Sequence, residues 1–230
     1  QAFAAPSRFD LIANMRTHVE NLEDEIAAGR SGEATELWLD TLQADLDLVE
    51  RKFADFQCAM DELNRLDLSA YKTTEKFPYV IVLDDIRSMN NIGSAFRTGD
   101  AFKCAAIHLC GITAQPPHRE ISKTALGADE SVDWLYFANA ADSRKALREA
   151  GYQIVCVEQV QGSLSLEKFT PIQGQKYAFV FGNEVFGVND AWIQEADFSL
   201  EIPQFGTKHS LNVSVSMGVV IWDFVSKIIA

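Results

Sequence analysis

Three short segments combine glycine with polar side chains in a way that could build a ligand-binding site. The first is Asn90–Thr98 (NNIGSAFRT), in which Arg97 carries a guanidinium suited to bidentate contact with phosphate. We expect Gly93 to let the backbone turn tightly into a helix whose first turns contain Arg97. A capped helix with a solvated arginine would give the same pattern, so this segment alone leaves both interpretations open.

The second segment is Phe181–Val188 (FGNEVFGV), which begins at the end of an unbroken apolar run. Gly182 and Gly187 flank the pair Asn183 and Glu184, which predicts a loop whose backbone approaches another group closely. An ordinary loop between a strand and a helix is an equally good interpretation of this segment.

The third segment is Ile202–Ser214 (IPQFGTKHSLNVS), a polar stretch that joins a predicted strand to the last predicted helix. Ser210 and Asn212 stand where N-capping side chains are expected. Capping does not explain the apolar Leu211 between them, so it does not account for the whole segment.

Each of these segments follows a predicted β-strand. From residue 77 onward, short apolar runs alternate with helical stretches, which is typical of a parallel sheet covered by helices on both faces. In such α/β sheets, ligands bind outside the carboxyl ends of the strands, where the three segments lie. The predicted strands are Pro78–Asp85, Ala105–Gly111, Ser131–Ala138, Tyr152–Gln159, Lys176–Glu184 and Phe198–Pro203, and the predicted helices are Ser94–Phe102, Ser143–Ala150 and Asn212–Ile228.

Residues 1–70 differ in composition from the rest of the chain. They are rich in charged residues, nearly free of Gly and Pro, and periodic in a way that predicts helices. They contain 15 acidic and 6 basic side chains, whereas residues 71–230 contain 18 acidic and 14 basic side chains. We therefore expect a helical accessory region over residues 1–70 and an α/β domain over residues 71–230. The net charge of −13 disfavours a broad phosphate-binding surface but is compatible with local basic patches in the second region.

Cysteine usage and hydropathy predict a cytoplasmic protein without a membrane partner. The four cysteines, Cys58, Cys104, Cys110 and Cys156, show neither CxxC spacing nor a His at zinc-ligand spacing, so we expect reduced thiols and no metal. No apolar run approaches the roughly 20 residues needed to cross a bilayer. The segment QAFAAPSRFD also lacks the pattern of a secretory signal.

The order and spacing of the three segments resemble those of the SpoU-type (TrmH-like) RNA 2′-O-ribose methyltransferases of the SPOUT superfamily. The resemblance covers roughly residues 77–230. The first motif of that family is met at Asn91, Gly93, Arg97 and Thr98, the second at Gly182, Asn183, Glu184 and Gly187, and the third at Ile202, Pro203, Gly206 and Ser210–Ser214, while an intermediate Gly-Ala signature is met in Lys123–Ala128.

The resemblance implies a parallel α/β fold whose carboxy-terminal segment threads through a loop to form a trefoil knot. It also implies S-adenosylmethionine as the cofactor and no metal. The absence of a GxGxxG pattern for an extended dinucleotide fits this cofactor. Apolar Ile202 and Leu211 would pack on the adenine. The full cofactor wall that the resemblance implies consists of Val157, Glu158, Gly182, Asn183, Gly187, Ile202 and Leu211.

The implied reaction is attack of a ribose 2′-hydroxyl of tRNA or rRNA on the methyl group of the cofactor. Arg97 matches the family's catalytic arginine, and because a guanidinium is a very weak base, we favour a role in which it anchors an RNA phosphate. Asn91, Glu184, Ser210 and Asn212 would orient Arg97, the cofactor and the ribose by hydrogen bonds.

The resemblance further implies a homodimer. An apolar stripe on the last predicted helix is a candidate contact surface, although packing in the core of one chain explains that stripe equally well. Its residues are Val219, Val220, Ile221, Phe224 and Ile228.

Two other functions are alternatives to ribose methylation: a SPOUT fold that binds RNA or cofactor without catalysis, and methylation of a base nitrogen. The presence of Arg97, Asn91, Glu184 and Asn212 argues against the first, and the Ser-Leu-Asn-Val-Ser motif favours ribose over base. Many family members carry an RNA-binding domain similar to a ribosomal protein where this chain has the acidic residues 1–70. The resemblance therefore does not define which RNA is recognised.

Overall fold

The computed structural model describes residues 16–17, 19–21, 23–24, 26–29, 39, 41–51, 68–208 and 210–229. The chain divides into two compact units, Gln1–Leu66 and Asp67–Ala230. In the first unit, the described residues between 16 and 27 and between 39 and 51 are helical, and Arg16 forms an ion pair with Glu50 at 2.6 Å. The remainder of the predicted helical region 1–70 lies mostly outside the described residues, and the predicted boundary near residue 70 stays a prediction.

The second unit is built on one sheet, in which seven strands lie parallel over the described residues in the order β3-β2-β1-β6-β4-β7-β5. The sheet confirms the predicted parallel α/β fold class. The six predicted strands all form, whereas β5, which contains only two residues, was not predicted. The strands are β1 (Tyr79–Asp84), β2 (Ala106–Cys110), β3 (Trp134–Phe137), β4 (Tyr152–Val157), β5 (Leu164–Ser165), β6 (Lys176–Phe181) and β7 (Phe198–Glu201).

The sheet is covered on both faces, as expected for strands that are apolar along their whole length. On β1, Ile81 and Leu83 face one hydrophobic core while Val80 and Val82 face the other, because successive side chains of a strand point to opposite faces. The covering helices are α1 (Leu68–Thr73), α2 (Met89–Ala101), α3 (Arg119–Ala125), α4 (Ala128–Ser131), α5 (Ala140–Glu149), α6 (Asp190–Glu195) and α7 (Val213–Ile229).

The start of α2 corrects one prediction. The helix begins at Met89, about one turn before the predicted start, because the hydroxyl of Ser88 accepts a hydrogen bond from the Asn91 N–H at 3.4 Å. Gly93 therefore lies inside the helix and does not form the turn into it. Its lack of a side chain instead permits close packing against α3, where an added Cβ would lie 2.6 Å from the carbonyl oxygen of Ile121.

The apolar stripe that was predicted on α7 is partly buried and partly exposed. Val220, Ile221 and Phe224 are buried in the core, so core packing accounts for them, whereas Val219 is exposed. Ile228 is partly buried against the same core. The residues that α7 leaves exposed form a different stripe, consisting of Val215, Val219, Trp222 and Ile229.

The helices of the described residues are all too short or too polar to span a lipid bilayer. The trefoil knot that the family resemblance implies stays a prediction.

Candidate functional site

A cavity of about 700 Å³ opens at the carboxyl ends of β4, β6 and β7, and its size is typical of small-molecule sites. The residues that follow these strands form its walls, together with the residues that lead into α7. All seven predicted cofactor residues line it: Val157, Glu158, Gly182, Asn183, Gly187, Ile202 and Leu211. Three of the five predicted catalytic residues also line it, namely Glu184, Ser210 and Asn212, whereas Asn91 and Arg97 do not.

The register of the sheet explains why the segments meet. Leu83 of β1 pairs with Phe181 of β6, and Cys156 of β4 pairs with Val180, so these strands end at nearly the same level. The chain leaves β1 towards α2 and leaves β6 towards Gly182 at neighbouring points of one edge. The topology therefore places the segments at the carboxyl ends of strands, as predicted.

The loop after β6 depends on two glycines. A Cβ on Gly182 would overlap the backbone of Gly187 and Val188, and a Cβ on Gly187 would collide with the carboxylate of Glu158. Gly187 also has a positive φ of 72°, which residues with a side chain adopt only at a cost. The predicted close approach of the loop backbone is therefore an approach to other groups of the protein, namely the loop itself and Glu158.

Asn183 fixes the same loop through its amide group. Its Oδ1 accepts hydrogen bonds from the N–H groups of Val185 at 2.9 Å and Phe186 at 3.2 Å. Its Nδ2 donates at 2.7 Å to the carbonyl oxygen of Asp85, which follows β1 and holds a left-handed φ of 53°. Asp85 was not singled out from the sequence, where a second acidic residue after a strand carries no distinctive signal.

Glu158 anchors the far end of the loop. One carboxylate oxygen accepts from the Val188 N–H at 3.0 Å and the other from the Gln159 N–H at 2.9 Å. Glu158 lines the cavity, but these bonds show that it also holds the cavity wall in shape.

Glu184 connects the loop to the start of α2. Its carboxylate accepts from the backbone N–H groups of Arg87 and Ser88, both at 3.0 Å, and from Nδ2 of Asn91 at 2.9 Å. Burial opposes ionisation, but the hydrogen bonds from Arg87, Asn91 and Ser88 outweigh it and lower the pKa of Glu184. Asn91 and Glu184 bond to each other, and no hydrogen bond joins either of them to Arg97. The expected role of both residues in orienting Arg97, the cofactor and the ribose stays a prediction.

Asn212 caps the N-terminus of α7. Such capping was one of the explanations that the sequence offered for this residue. Its Oδ1 accepts from the Ser214 N–H at 2.9 Å and from the Ser214 hydroxyl at 2.6 Å. Ser210 lies outside the helix, lines the cavity and makes no hydrogen bond to another described residue. Its hydroxyl is therefore available to a ligand, while Leu211 and Ile202 add apolar surface to the cavity wall.

Arg97 lies on α2, exposed to solvent. It follows Asn91 by six positions, which corresponds to about 9 Å along the helix axis. It makes no hydrogen bond or ion pair with another described residue. Arg97 is thus free to contact a large anionic ligand next to the cavity, but it does not form part of the cavity wall.

The charge of the cavity wall restricts the ligand. Among the described lining residues there is no Lys or Arg, but there are four acidic side chains, Glu158, Glu184, Asp190 and Glu201. An anionic ligand such as a nucleotide phosphate would be repelled at close range, whereas a cationic centre would be attracted. Sequence reasoning did not find Asp190, Glu201 or the neighbouring Gln159 and Gln204, because their side chains carry no motif and their position depends on the fold.

Comparison with known proteins agrees with these motifs. The family described as "SpoU rRNA Methylase family" matches residues 78–222. The 23S rRNA (guanosine-2′-O-)-methyltransferase RlmB of Neisseria meningitidis is 32% identical over 144 residues, which are 63% of this chain and 56% of that protein. The RlmB protein of Vibrio cholerae is 30% identical over 164 residues, 71% of this chain and 65% of that protein. The matches thus span less than two thirds of these two relatives.

Solved structures show the same architecture. An AdoMet-bound rRNA methyltransferase from Sinorhizobium meliloti superposes with a TM-score of 0.60 and 26% identity, covering 66% of this chain and 58% of that one. The TrmH/SpoU tRNA modifying enzyme of A. aeolicus superposes with a TM-score of 0.62 over 73% of this chain and 83% of that one. At 21% identity, the second likeness concerns the fold alone.

Proposed function

Because the chain belongs to the SpoU rRNA methylase family, we propose that it transfers a methyl group from S-adenosylmethionine to a ribose 2′-hydroxyl of tRNA or rRNA. The observation that carries this proposal is the acidic cavity, whose described lining residues include no Lys or Arg and belong in part to the second and third family motifs. The first motif lies on α2, where Asn91 is hydrogen-bonded to the lining residue Glu184 and Arg97 is exposed.

The cavity fits S-adenosylmethionine in size and in charge. The bound cofactor supplies a methyl group on a positively charged sulfur, which makes that methyl group electrophilic. Four carboxylates in the wall favour a cationic ligand, and apolar Ile202 and Leu211 offer surface for the adenine. Val157, Glu158, Gly182, Asn183 and Gly187 complete the proposed binding set, in which the two glycines allow the loop that lines the cavity to fold closely on itself and on Glu158.

Arg97 is the residue that we propose to bind the RNA at the point of reaction. A 2′-hydroxyl is a poor nucleophile, so it must be aligned and its proton must be removed. A guanidinium stays protonated at neutral pH and binds phosphate with two parallel hydrogen bonds. Arg97 therefore acts as a phosphate anchor that positions the ribose at the mouth of the cavity.

The other four proposed residues have separable roles. Ser210 offers a free hydroxyl to the ribose, and Asn212 holds the start of α7 next to it. Asn91 and Glu184 are positioning residues, because their mutual hydrogen bond ties the cavity loop to the helix that carries Arg97. The proposed transfer requires no metal ion.

We further propose that the protein acts as a homodimer in the cytoplasm. The exposed apolar stripe of α7, defined above by four residues from Val215 to Ile229, supports a contact between two copies. The described cysteines, Cys104, Cys110 and Cys156, are free thiols, in keeping with a reducing compartment.

Methyl transfer to RNA tests the proposal directly. The purified chain is incubated with total tRNA or rRNA and S-adenosylmethionine labelled in its methyl group, and the RNA is then digested to nucleosides for mass spectrometry. We expect the label in 2′-O-methylnucleosides. Label in a base would favour base methylation, and cofactor binding without any transfer would favour a binding protein.

A further inference from the structure

Phe186 occupies an unusual position for a large aromatic residue. It lies in the loop after β6 and lines the cavity, yet 85% of its surface is exposed. An exposed apolar residue is common on protein surfaces and means little by itself. At the mouth of a ligand cavity, however, an exposed ring is available to whatever enters or covers that cavity.

The backbone that carries this ring is held firmly. The N–H of Phe186 donates to Asn183 Oδ1 at 3.2 Å, and the N–H of the next residue, Gly187, donates to the Asn183 carbonyl oxygen at 2.9 Å. Gly187 in turn packs against Gly182 and Glu158 so closely that neither position 182 nor 187 has room for a side chain. The ring is thus presented to solvent by a braced turn, and little backbone entropy would be lost when a ligand contacts it.

The cavity wall limits how a nucleic acid can be held there. No described lining residue is basic, so this part of the wall offers no cationic side chain to a phosphate. Stacking on an aromatic ring is a strong contact that does not depend on a cationic side chain, and unpaired RNA bases are commonly held in this way.

We propose that Phe186 stacks on an unpaired base of the RNA substrate and so positions the neighbouring ribose at the cavity. This inference rests on the proposed function and adds a substrate class to it: an unpaired nucleotide, whose base is accessible on both faces. A nucleotide inside a continuous double helix keeps its base stacked on its neighbours and cannot offer that face.

The competing arrangement places the ring against the adenine of the cofactor. Ile202 and Leu211 already supply apolar surface within the cavity for the adenine, whereas the Phe186 ring projects largely into solvent. A contact with the cofactor and a contact with RNA are separable by experiment, because only the first changes the affinity for the cofactor alone.

The test uses the full chain with saturating S-adenosylmethionine and a single-stranded oligoribonucleotide of about 12 nucleotides that carries one 2-aminopurine. Fluorescence of 2-aminopurine falls when the base stacks, so titration gives both the affinity and the stacking signal. The variants are Phe186→Ala, Phe186→Leu and Phe186→Tyr, with Ile172→Ala as the matched control, since Ile172 is 63% exposed and does not line the cavity. Calorimetry measures cofactor affinity, and methyl transfer to total RNA gives KM and kcat.

We expect Phe186→Ala and Phe186→Leu to weaken oligoribonucleotide binding about tenfold, to lose the quenching and to raise KM for RNA more than they lower kcat. Phe186→Tyr and Ile172→Ala should behave like the unaltered protein, and cofactor affinity should stay the same in all four variants. The inference is overturned if the unaltered protein shows no quenching, if leucine replaces phenylalanine without loss, or if cofactor affinity falls in parallel. The proposed function fails separately, through absence of cofactor binding or of methyl transfer.

Discussion

Asn91 donates a hydrogen bond of 2.9 Å from its side-chain amide to the carboxylate of Glu184, across 93 residues of sequence. The two residues belong to different motifs, one at the start of α2 and one in the loop after β6. Together with the N–H groups of Arg87 and Ser88, Asn91 surrounds the carboxylate with three donors. The loop that lines the cavity is thereby fixed to the helix that carries Arg97.

Glu184→Gln should loosen this connection. A glutamine can accept at one oxygen only, so at least one of the three donors loses its partner, which we expect to cost about 1 kcal/mol of unfolding free energy at pH 7. The pKa of Glu184 is lowered in the folded protein, so its contribution is complete above the ordinary value of 4.5 and is lost as the pH falls below it. Urea denaturation from pH 7 to pH 3 should show the two proteins converging in stability at the acid end. A constant difference over that range would contradict the proposed bonding.

Gly182→Ala should prevent the loop from closing. The added Cβ would overlap the backbone of Gly187, so we expect a loss of about 2 kcal/mol or more in stability and a large loss of cofactor affinity. Gly206→Ala is the control, because a Cβ there meets no described atom within 4 Å although Gly206 is also a motif glycine. Thermal unfolding and calorimetry with S-adenosylmethionine measure both effects. Equal behaviour of the two variants would argue against the tight loop.

Arg97→Ala should separate catalysis from cofactor binding. Arg97 does not line the cavity, so cofactor affinity should stay within a few-fold, while methyl transfer should fall about 100-fold or more. Arg97→Lys keeps the charge but not the bidentate geometry, and we expect its turnover to lie between that of the unaltered protein and that of Arg97→Ala. Turnover is measured with labelled cofactor and total RNA. Near-normal turnover of Arg97→Ala would remove Arg97 from its proposed role.

Leu211→Arg should weaken cofactor binding, which Arg97→Ala should leave nearly unchanged. Leu211 lines the cavity and is 42% exposed, so a charged side chain can be accommodated without unfolding. The change would remove apolar surface proposed for the adenine and add a positive charge to a cavity that favours a cationic ligand. We expect at least a tenfold loss of cofactor affinity by calorimetry, which corresponds to about 1.4 kcal/mol. Leu135→Arg on β3 is the control, because Leu135 is 53% exposed and does not line the cavity. A similar loss in both variants would indicate a general effect of the added charge.

His108→Gln should reduce the sensitivity of the fold to acid. His108 is buried on β2, where its Nδ1 lies 2.8 Å from the Ser143 hydroxyl, and burial lowers its pKa to about 4. The unfolded chain takes up a proton below about pH 6.5 while the folded one does not, so about 3 kcal/mol of stability is lost as the pH falls from 6.5 to 4. Glutamine keeps a hydrogen-bonding group without titrating, so its curve of stability against pH should be flatter over that range. Parallel curves would show that another group dominates the acid response.

The sheet and the motif positions could be predicted from the sequence because they depend on local patterns. Apolar runs such as Tyr79–Asp84 and Lys176–Phe181 differ clearly from their flanks, and their predicted ends were within three residues of the observed ones. The helices α3, α4 and α6 contain only four to seven residues, too few for a helical period to stand out, and none was predicted.

The partners within the site could not be predicted because they are set by the folded chain. Glu184 was expected to help orient Arg97, the cofactor and the ribose. Its hydrogen bonds to the backbone N–H groups of Arg87 and Ser88 were not expected, because no sequence pattern reveals them. The exposure of Phe186 was also not predicted, since an apolar residue between Gly182 and Gly187 is equally compatible with a buried position. Pattern reasoning identifies which residues gather at an edge of the sheet, and the backbone geometry decides which of them remain free.

The cavity has a consequence for the order in which the protein matures. Its wall is formed by residues between Val157 and Ser216, and the strand β6 within this range pairs with β1, where Tyr79 lies opposite Tyr177. Pairings between distant segments form slowly, and the start of α7 closes the wall only after it has been synthesised. A growing chain on the ribosome therefore lacks part of the cavity wall until α7 emerges. A ligand of the cavity would then stabilise only molecules that contain α7, so its concentration in the cell would favour these over chains that stop before α7.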